Sequence, residues 1–161
     1  MKACICFYGL AQRSLKYTIK SINECIFATL QKENVKHDIY LHTHDTKYAF
    51  TTRIARSQED NIPLDINDFK LLNPDVYTID SEKDFNNSYD WEKIEQHGDP
   101  YLNETAFRHT IRELNSVKQV TNLWKNKKND YDFFVYLRPD LTFSEKIPIE
   151  HIVENLNHKK V

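Results

Sequence analysis

Residues 3–9 read ACICFYG and residues 133–137 read FFVYL. Both runs are continuously apolar rather than alternating, and both are short. Strands of that kind are buried on both faces, which calls for a parallel sheet with helices above and below it. Between the first run and a third, residues 37–43 (HDIYLHT), lies a stretch with Leu15, Ile19, Ile22, Ile26 and Leu30 at helical spacing. The spacing predicts a helix over 15–34 with Ser14 as its N-cap. Strand, helix and strand then make a β-α-β unit of the length expected for a crossover between parallel strands.

Further along, PDVYTIDS predicts a strand over 75–80, and residues 50–58 a short helix before a turn at NIPLD. Residues 81–100 read as a mobile loop, long enough to order over a ligand with Tyr89 or Trp91 as cover. A long amphipathic helix is expected over 102–126, its apolar face marked by Phe107, Ile111, Leu114, Val117, Thr121 and Trp124. Residues 132–137 form the last strand, and 148–157 a short terminal helix. The order predicts an α/β fold, a three-layer α/β/α sandwich with a mainly parallel sheet.

Composition narrows the function. At 161 residues the chain suits one domain. Only two glycines are present, so a glycine-rich phosphate loop is not available. A formal net charge of -2 gives no basic field for nucleic acid. No apolar run approaches the ~18 residues of a membrane span. The opening MKACICFYGL is too short in apolar length for a signal peptide and reads as the first strand. The three cysteines, Cys4, Cys6 and Cys25, are scattered, which argues for free thiols in a reducing, cytoplasmic setting; Cys4 and Cys6 share one face of a strand.

In an open parallel sheet, ligands bind beyond the carboxyl ends of the strands. Three loops qualify. After the first strand, Tyr8, Gly9, Arg13 and Ser14 lead into a helix N-terminus, a place where backbone N–H groups and a guanidinium favour an anion. After the second, His42, His44 and Asp45 offer either polar contacts to a base or ribose, structural capping by His42, or a zinc site that lacks an evident third ligand. After the last long strand, Arg138-Pro139-Asp140 ends the apolar run. Asp140 there is placed to hold a divalent ion, or else to pair with Arg138 in a surface turn. On the long helix, Arg108, His109 and Arg112 lie within little more than one turn and face either a diphosphate or solvent.

The blocks ICFYGLAQRSLKYTIKSI, HDIYLHTHD and YDFFVYLRPDLTF together resemble a family of glycosyltransferases from large DNA viruses and bacterial surface-polysaccharide loci. The resemblance implies a GT-A-like, Rossmann-like nucleotide-diphospho-sugar transferase fold, short at its C-terminal end, in one domain over residues 1–161 or the N-terminal part of a longer protein. A nucleotide-sugar donor would lie across the strand ends, on Tyr8, Gly9, Arg13, Ser14, His42, His44, Asp45, Arg138 and an arginine of the long helix, Arg108 or Arg112. The family's Asp-x-Asp, which holds manganese or magnesium, is here Arg138-Pro139-Asp140. Asp140 matches the second aspartate as metal ligand, and Arg138 stands in place of the first. The reading is a hexosyltransferase-like domain that transfers a sugar to a hydroxyl of a glycan or other acceptor, in the cytoplasm or in a host's if viral. The rival is a nucleotide-binding or interaction domain without turnover. The catalytic base is not assigned.

Overall fold

A computed structural model describes residues 1–48, 63–96 and 104–158, with the side chains of 104–106 and 157 left out. Four strands form one sheet: β1 (Lys2–Tyr8), β2 (Lys36–His44), β3 (Val76–Asp80) and β4 (Phe133–Leu137). Their order is β3-β2-β1-β4 and every pairing is parallel. The fold is therefore α/β and compatible with a Rossmann-like arrangement. The order reverses between β1 and β4, the position at which open α/β sheets leave a crevice.

The continuous apolar pattern has the expected cause. Residues Ala3, Cys4, Ile5, Cys6 and Phe7 are all fully buried, because β1 lies inside the sheet and both its faces are covered. Ala3, Ile5 and Phe7 join one core with Leu15, Ile22, Ile26 and Leu30. Cys4 and Cys6 face the other way, into a second core with Tyr40, Val120 and Tyr131. The three layers are thus real, and both thiols are free, their sulfurs 3.5 Å apart on one face.

The first helical layer departs from expectation at both ends. Helix α1 (Ala11–Ile22) starts three residues before Ser14, with Leu10 at the N-cap and no side-chain cap. Ser14 lies inside the helix and is not a cap. The Ala11 amide is instead satisfied by Thr43 Oγ1 at 3.2 Å, so a neighbouring strand supplies the cap that the local sequence lacks. One π-helical turn, Asn23–Phe27, interrupts the helix before α2 (Ala28–Lys32). In that turn the Cys25 carbonyl accepts the Ile147 amide at 3.2 Å, which anchors the C-terminal segment. Helix α6 (Ile149–His158) follows, and Ile149 is fully buried in the first core.

Between β2 and β3, the expected helix over 50–58 lies outside the described residues, as do residues 61–62 of the NIPLD turn. Pro63 bridges to Tyr48. A 3₁₀ helix at Ile66–Leu72 had no place in the sequence reading; it buries Phe69 and Leu72. The stretch after β3 is not a plain loop. It folds into α3 (Glu82–Asn87) and α4 (Trp91–Glu95), capped by Ser81 and Asp90 side chains. Phe85 is buried, its ring packs on Tyr89 and Trp91, and Trp91 Nε1 donates to Asn86 O at 2.7 Å. These aromatic residues therefore build a small core of their own. Residues 97–100 lie outside the described residues.

Helix α5 (Glu104–Trp124) covers the second face of the sheet, but on a different stripe from the one the pattern marked. Ser116 and Val120 are fully buried, whereas Leu114 is 60% exposed. The stripe is rotated because Ser116, a polar residue, has hydrogen-bonding work to do at the sheet.

Gly9, between β1 and α1, has φ +105°. A Cβ there would meet nothing within 4 Å, so strain and not collision makes glycine necessary. Gly9→Ala is expected to cost about 1–2 kcal/mol of stability, read as a lower midpoint in urea denaturation. An unchanged midpoint would mean that the turn relaxes into an ordinary conformation.

Candidate functional site

The carboxyl ends of β1, β2 and β4 meet the middle of α5 around a cavity of ≈ 180 Å³. Its lining includes Tyr8, Gly9, Arg13, His44, Arg112, Arg138 and Asp140, seven of the residues that the sequence put forward. It also includes Leu10, Thr46, His109 and Glu113. His109 had been noted beside its two arginines without a role; Glu113 and Thr46 carried no sequence signal, because only the docking of α5 and the course of the chain after β2 bring them in.

Ser14 stands apart from the lining, and so do three other nominated residues, each with a structural task. Asp45 Oδ1 accepts the Glu82 amide at 2.7 Å and so caps α3. Arg108 pairs with Glu95 at 2.8 Å and lies over the Trp91 ring. His42 is fully buried beneath the cavity. Its Nδ1 is 2.7 Å from Ser116 Oγ, and its Nε2 is 3.0 Å from Asp80 Oδ2. Ser116 Oγ accepts the Gly9 amide at 2.8 Å. Ser116 Oγ also lies 3.3 Å from the His42 carbonyl, so its hydroxyl can donate either there or to Nδ1, and the Asp80 carboxylate beside Nε2 favours a proton on that nitrogen. Both ring nitrogens of His42 thus face groups of the protein, Ser116 and Asp80. Among the described residues no group of three or more His, Cys, Asp or Glu side chains is placed to hold a metal ion.

At the end of β4, Pro139 stops the strand. The Pro139 carbonyl accepts Thr18 Oγ1 at 2.6 Å, which pins the turn to α1. Arg138 bonds both carboxylate oxygens of Asp140, Nε to Oδ1 at 3.0 Å and Nη2 to Oδ2 at 2.7 Å. Its Nη1 reaches Glu113 Oε1 at 3.0 Å. The fork-to-fork geometry raises the Arg138 pKa, first through Asp140. For a divalent ion this is a poor fit as it stands: both oxygens of Asp140 already accept from a guanidinium, and that guanidinium would sit beside the cation. Positive charge at the strand end is carried by Arg138 itself.

Arg112 is held from outside. Its Nη2 is 3.2 Å from both Glu82 Oε1 and Asn86 Oδ1, and its guanidinium lies over the Phe85 ring. His109 is exposed at the rim of the cavity, and its imidazole is pushed below the ordinary range by partial loss of hydration and then by Arg112 and Arg13. Tyr8 is pushed up, first by burial and then by Glu113. His44 is 1% exposed and its pKa falls to about 4, because burial outweighs everything else and His42 and Arg112 add to it. Three arginines converge on the lining, Arg138 paired there with Glu113 and Asp140 and Arg112 paired from outside with Glu82, so an anion would enter by exchange with a carboxylate. An anion-binding crevice at the point of strand-order reversal is what this arrangement can provide.

Comparison with family models, with curated proteins and with solved structures finds no match to this chain. The chemistry of the site thus rests on its own geometry.

The His44 shift has a pH consequence. Its folded pKa, about 4, lies below the unfolded value of 6.5. Between those values the unfolded chain binds a proton that the folded chain refuses, so stability is complete above pH 6.5 and is lost as pH falls toward 4. Depressed values at His42 and His109 act in the same direction. From pH 7 to pH 5 the His44 share is about 2 kcal/mol. His44→Phe, which cannot titrate, is expected to lose that much less stability than the wild type over the same interval in urea denaturation. Equal losses would show that His44 is hydrated and protonates freely.

Proposed function

We propose that the cavity binds the diphosphate of a nucleoside-diphosphate sugar, in a GT-A-like domain that transfers the sugar to a hydroxyl acceptor in glycan synthesis. The observation that carries this reading is the convergence of Arg13, Arg112 and Arg138 on one cavity at the β1/β4 reversal. Guanidinium forks match phosphate oxygens, and charge accumulating on a departing diphosphate is stabilised by fixed positive groups at no cost in reorganisation. The cavity volume of ≈ 180 Å³ is below that of whole-ligand pockets, roughly 300–1,000 Å³, so only part of the donor enters and the rest extends outside. The sequence resemblance supplies the transferase part of the reading. No helix among the described residues is long and apolar enough to cross a membrane; the cytoplasmic setting in this reading comes from the free thiols alone.

In this reading Arg138 takes the place of a cation. Manganese or magnesium would require Asp140 to be released from Arg138. The rival reading, a domain that binds nucleotide without turnover, draws on the same pairings: Arg138 engages both oxygens of Asp140 and one of Glu113, the two carboxylates in the lining.

Calorimetric titration with UDP-, GDP- and TDP-sugars, with and without manganese, tests the proposal. Binding without manganese, accompanied by slow donor hydrolysis, supports the transferase; binding alone supports the rival, and no binding removes both. Two variants separate arginine from cation. Arg138→Gln is expected to weaken the diphosphate tenfold or more, the equivalent of a charge-assisted contact of about 1.5–3 kcal/mol. Asp140→Asn, measured without metal, is expected to keep or raise affinity because it frees the guanidinium. A loss of manganese-dependent affinity in Asp140→Asn, with Arg138→Gln unaffected, would return Asp140 to the role of metal ligand.

A further inference from the structure

The inner wall of the cavity has polar atoms that nothing in the protein satisfies. Thr46 Oγ1 and Arg112 Nε are buried and without a hydrogen-bond partner, and the two buried ring nitrogens of His44 have between them a single backbone contact, to Arg112. His44 is 1% and Thr46 3% exposed, and all three residues line the same cavity. A buried polar group left unpaired costs free energy and calls for an explanation.

These atoms are also held in place. The Gln12 side chain, 1% exposed, donates to the carbonyls of both His44 and Thr46, and its Oε1 accepts Thr43 Oγ1 at 3.0 Å. The His44 ring stands edge-on between His42, at 5.1 Å, and Phe85, at 5.6 Å. Aromatic packing therefore fixes the imidazole, and with one ring nitrogen in contact with the Arg112 backbone the other is left for something else. A buried glutamine spent on orienting two neighbouring backbone carbonyls amounts to preorganisation of the side chains between them.

We propose that His44 and Thr46 form a hydroxyl-binding floor to this cavity, taking adjacent ring hydroxyls of a sugar or ribose whose phosphate lies against the arginines. The chemistry of the donors and acceptors decides this. A neutral imidazole offers one N–H and one lone pair, and a threonine hydroxyl likewise gives and accepts. A bare anion has no proton for the imidazole lone pair and would leave it unpaired. A hydroxyl both donates and accepts, so one hydroxyl of a vicinal diol suits the remaining nitrogen of His44 and its neighbour suits Thr46 Oγ1. Arg112 spans the two regions: its Nη2 is engaged by Glu82 and Asn86, while its Nε stays open beside the floor. The inference rests on the diphosphate reading only for the charged end of the ligand.

The test uses small probes and the whole chain, with affinity read from ¹H–¹⁵N NMR titrations. Glucose 1-phosphate and ribose 5-phosphate are compared with inorganic phosphate and pyrophosphate, and methyl glucoside and ribose serve as neutral controls. At least one sugar phosphate is expected to bind about tenfold more tightly than inorganic phosphate, with a shift of the His44 ring nitrogens. Which of the two binds more tightly tells hexose from ribose. Thr46→Val and His44→Phe are expected to erase that margin while leaving phosphate affinity within twofold. Should either variant fail to fold, deoxy analogues of the preferred sugar phosphate on the wild-type protein give the same comparison. Phosphate binding with no gain from ring hydroxyls would overturn the floor and leave the arginine reading standing. Binding of neutral sugar without any phosphate binding would keep the floor and remove the diphosphate. If no probe binds, both fall.

Discussion

The hydrogen bond between Ser116 and His42 holds the functional end of this protein together. Ser116 belongs to α5, His42 to β2, and the same serine oxygen takes the Gly9 amide at the end of β1. Through His42 the chain of contacts continues to Asp80 at the end of β3. Three strands and the covering helix are thus locked in register by one fully buried hydroxyl. Substituting an apolar side chain would leave the Gly9 amide and an imidazole nitrogen unpaired, and an unpaired buried group costs more than the bond contributes. This also accounts for the stripe that α5 turns toward the sheet. Satisfying His42 outranks burying Leu114, which remains in solvent.

Once α5 is fixed by Ser116, its side chains one turn earlier have little choice. Arg112 and Glu113 are carried over the strand ends, where Glu113 meets Arg138 and Arg112 meets the helices that follow β3. The cavity is therefore a product of registration between layers. Its charge follows from the same source: Arg138 is paired with two carboxylates, one local and one delivered by α5, while Arg13 and the Glu82-paired Arg112 bring guanidinium groups from two other elements. Exchange of a carboxylate partner for phosphate oxygens is a natural response of such a cluster to an anionic ligand.

Much of this was legible in the residues. Continuous apolar runs require a strand covered on both sides, and helical spacing after the first run requires a covering helix, so the β-α-β start and the parallel sheet follow from pattern alone. The strand-end rule then selects the three loops of the site, and Arg13, His44, Arg112, Arg138 and Asp140 all reach the cavity. The misses have physical reasons. Ser14 has the chemistry of an N-cap, but Thr43 from β2 caps α1 earlier. Asp45 and Arg108 have the chemistry of ligand contacts, but the helices between β3 and α5 consume them as cap and ion pair. Those helices were hidden because their polar surface resembles a loop, and the apolar residues they bury, Phe85 above all, are too few to form a pattern.

The sequence by itself determined which segments are buried strands, which face of β1 carries the two thiols, and which strand ends carry charge, because each of these depends on residues close together in the chain. Tertiary structure decided the rest. The pairing of Arg138 with Glu113, the open nitrogen of His44, the delivery of Thr46 to the cavity and the clamp by Gln12 each join residues at least 25 apart or set by the packing of another layer. Such contacts depend on how two layers register against each other, and no local pattern encodes that; a buried serine on one helix does.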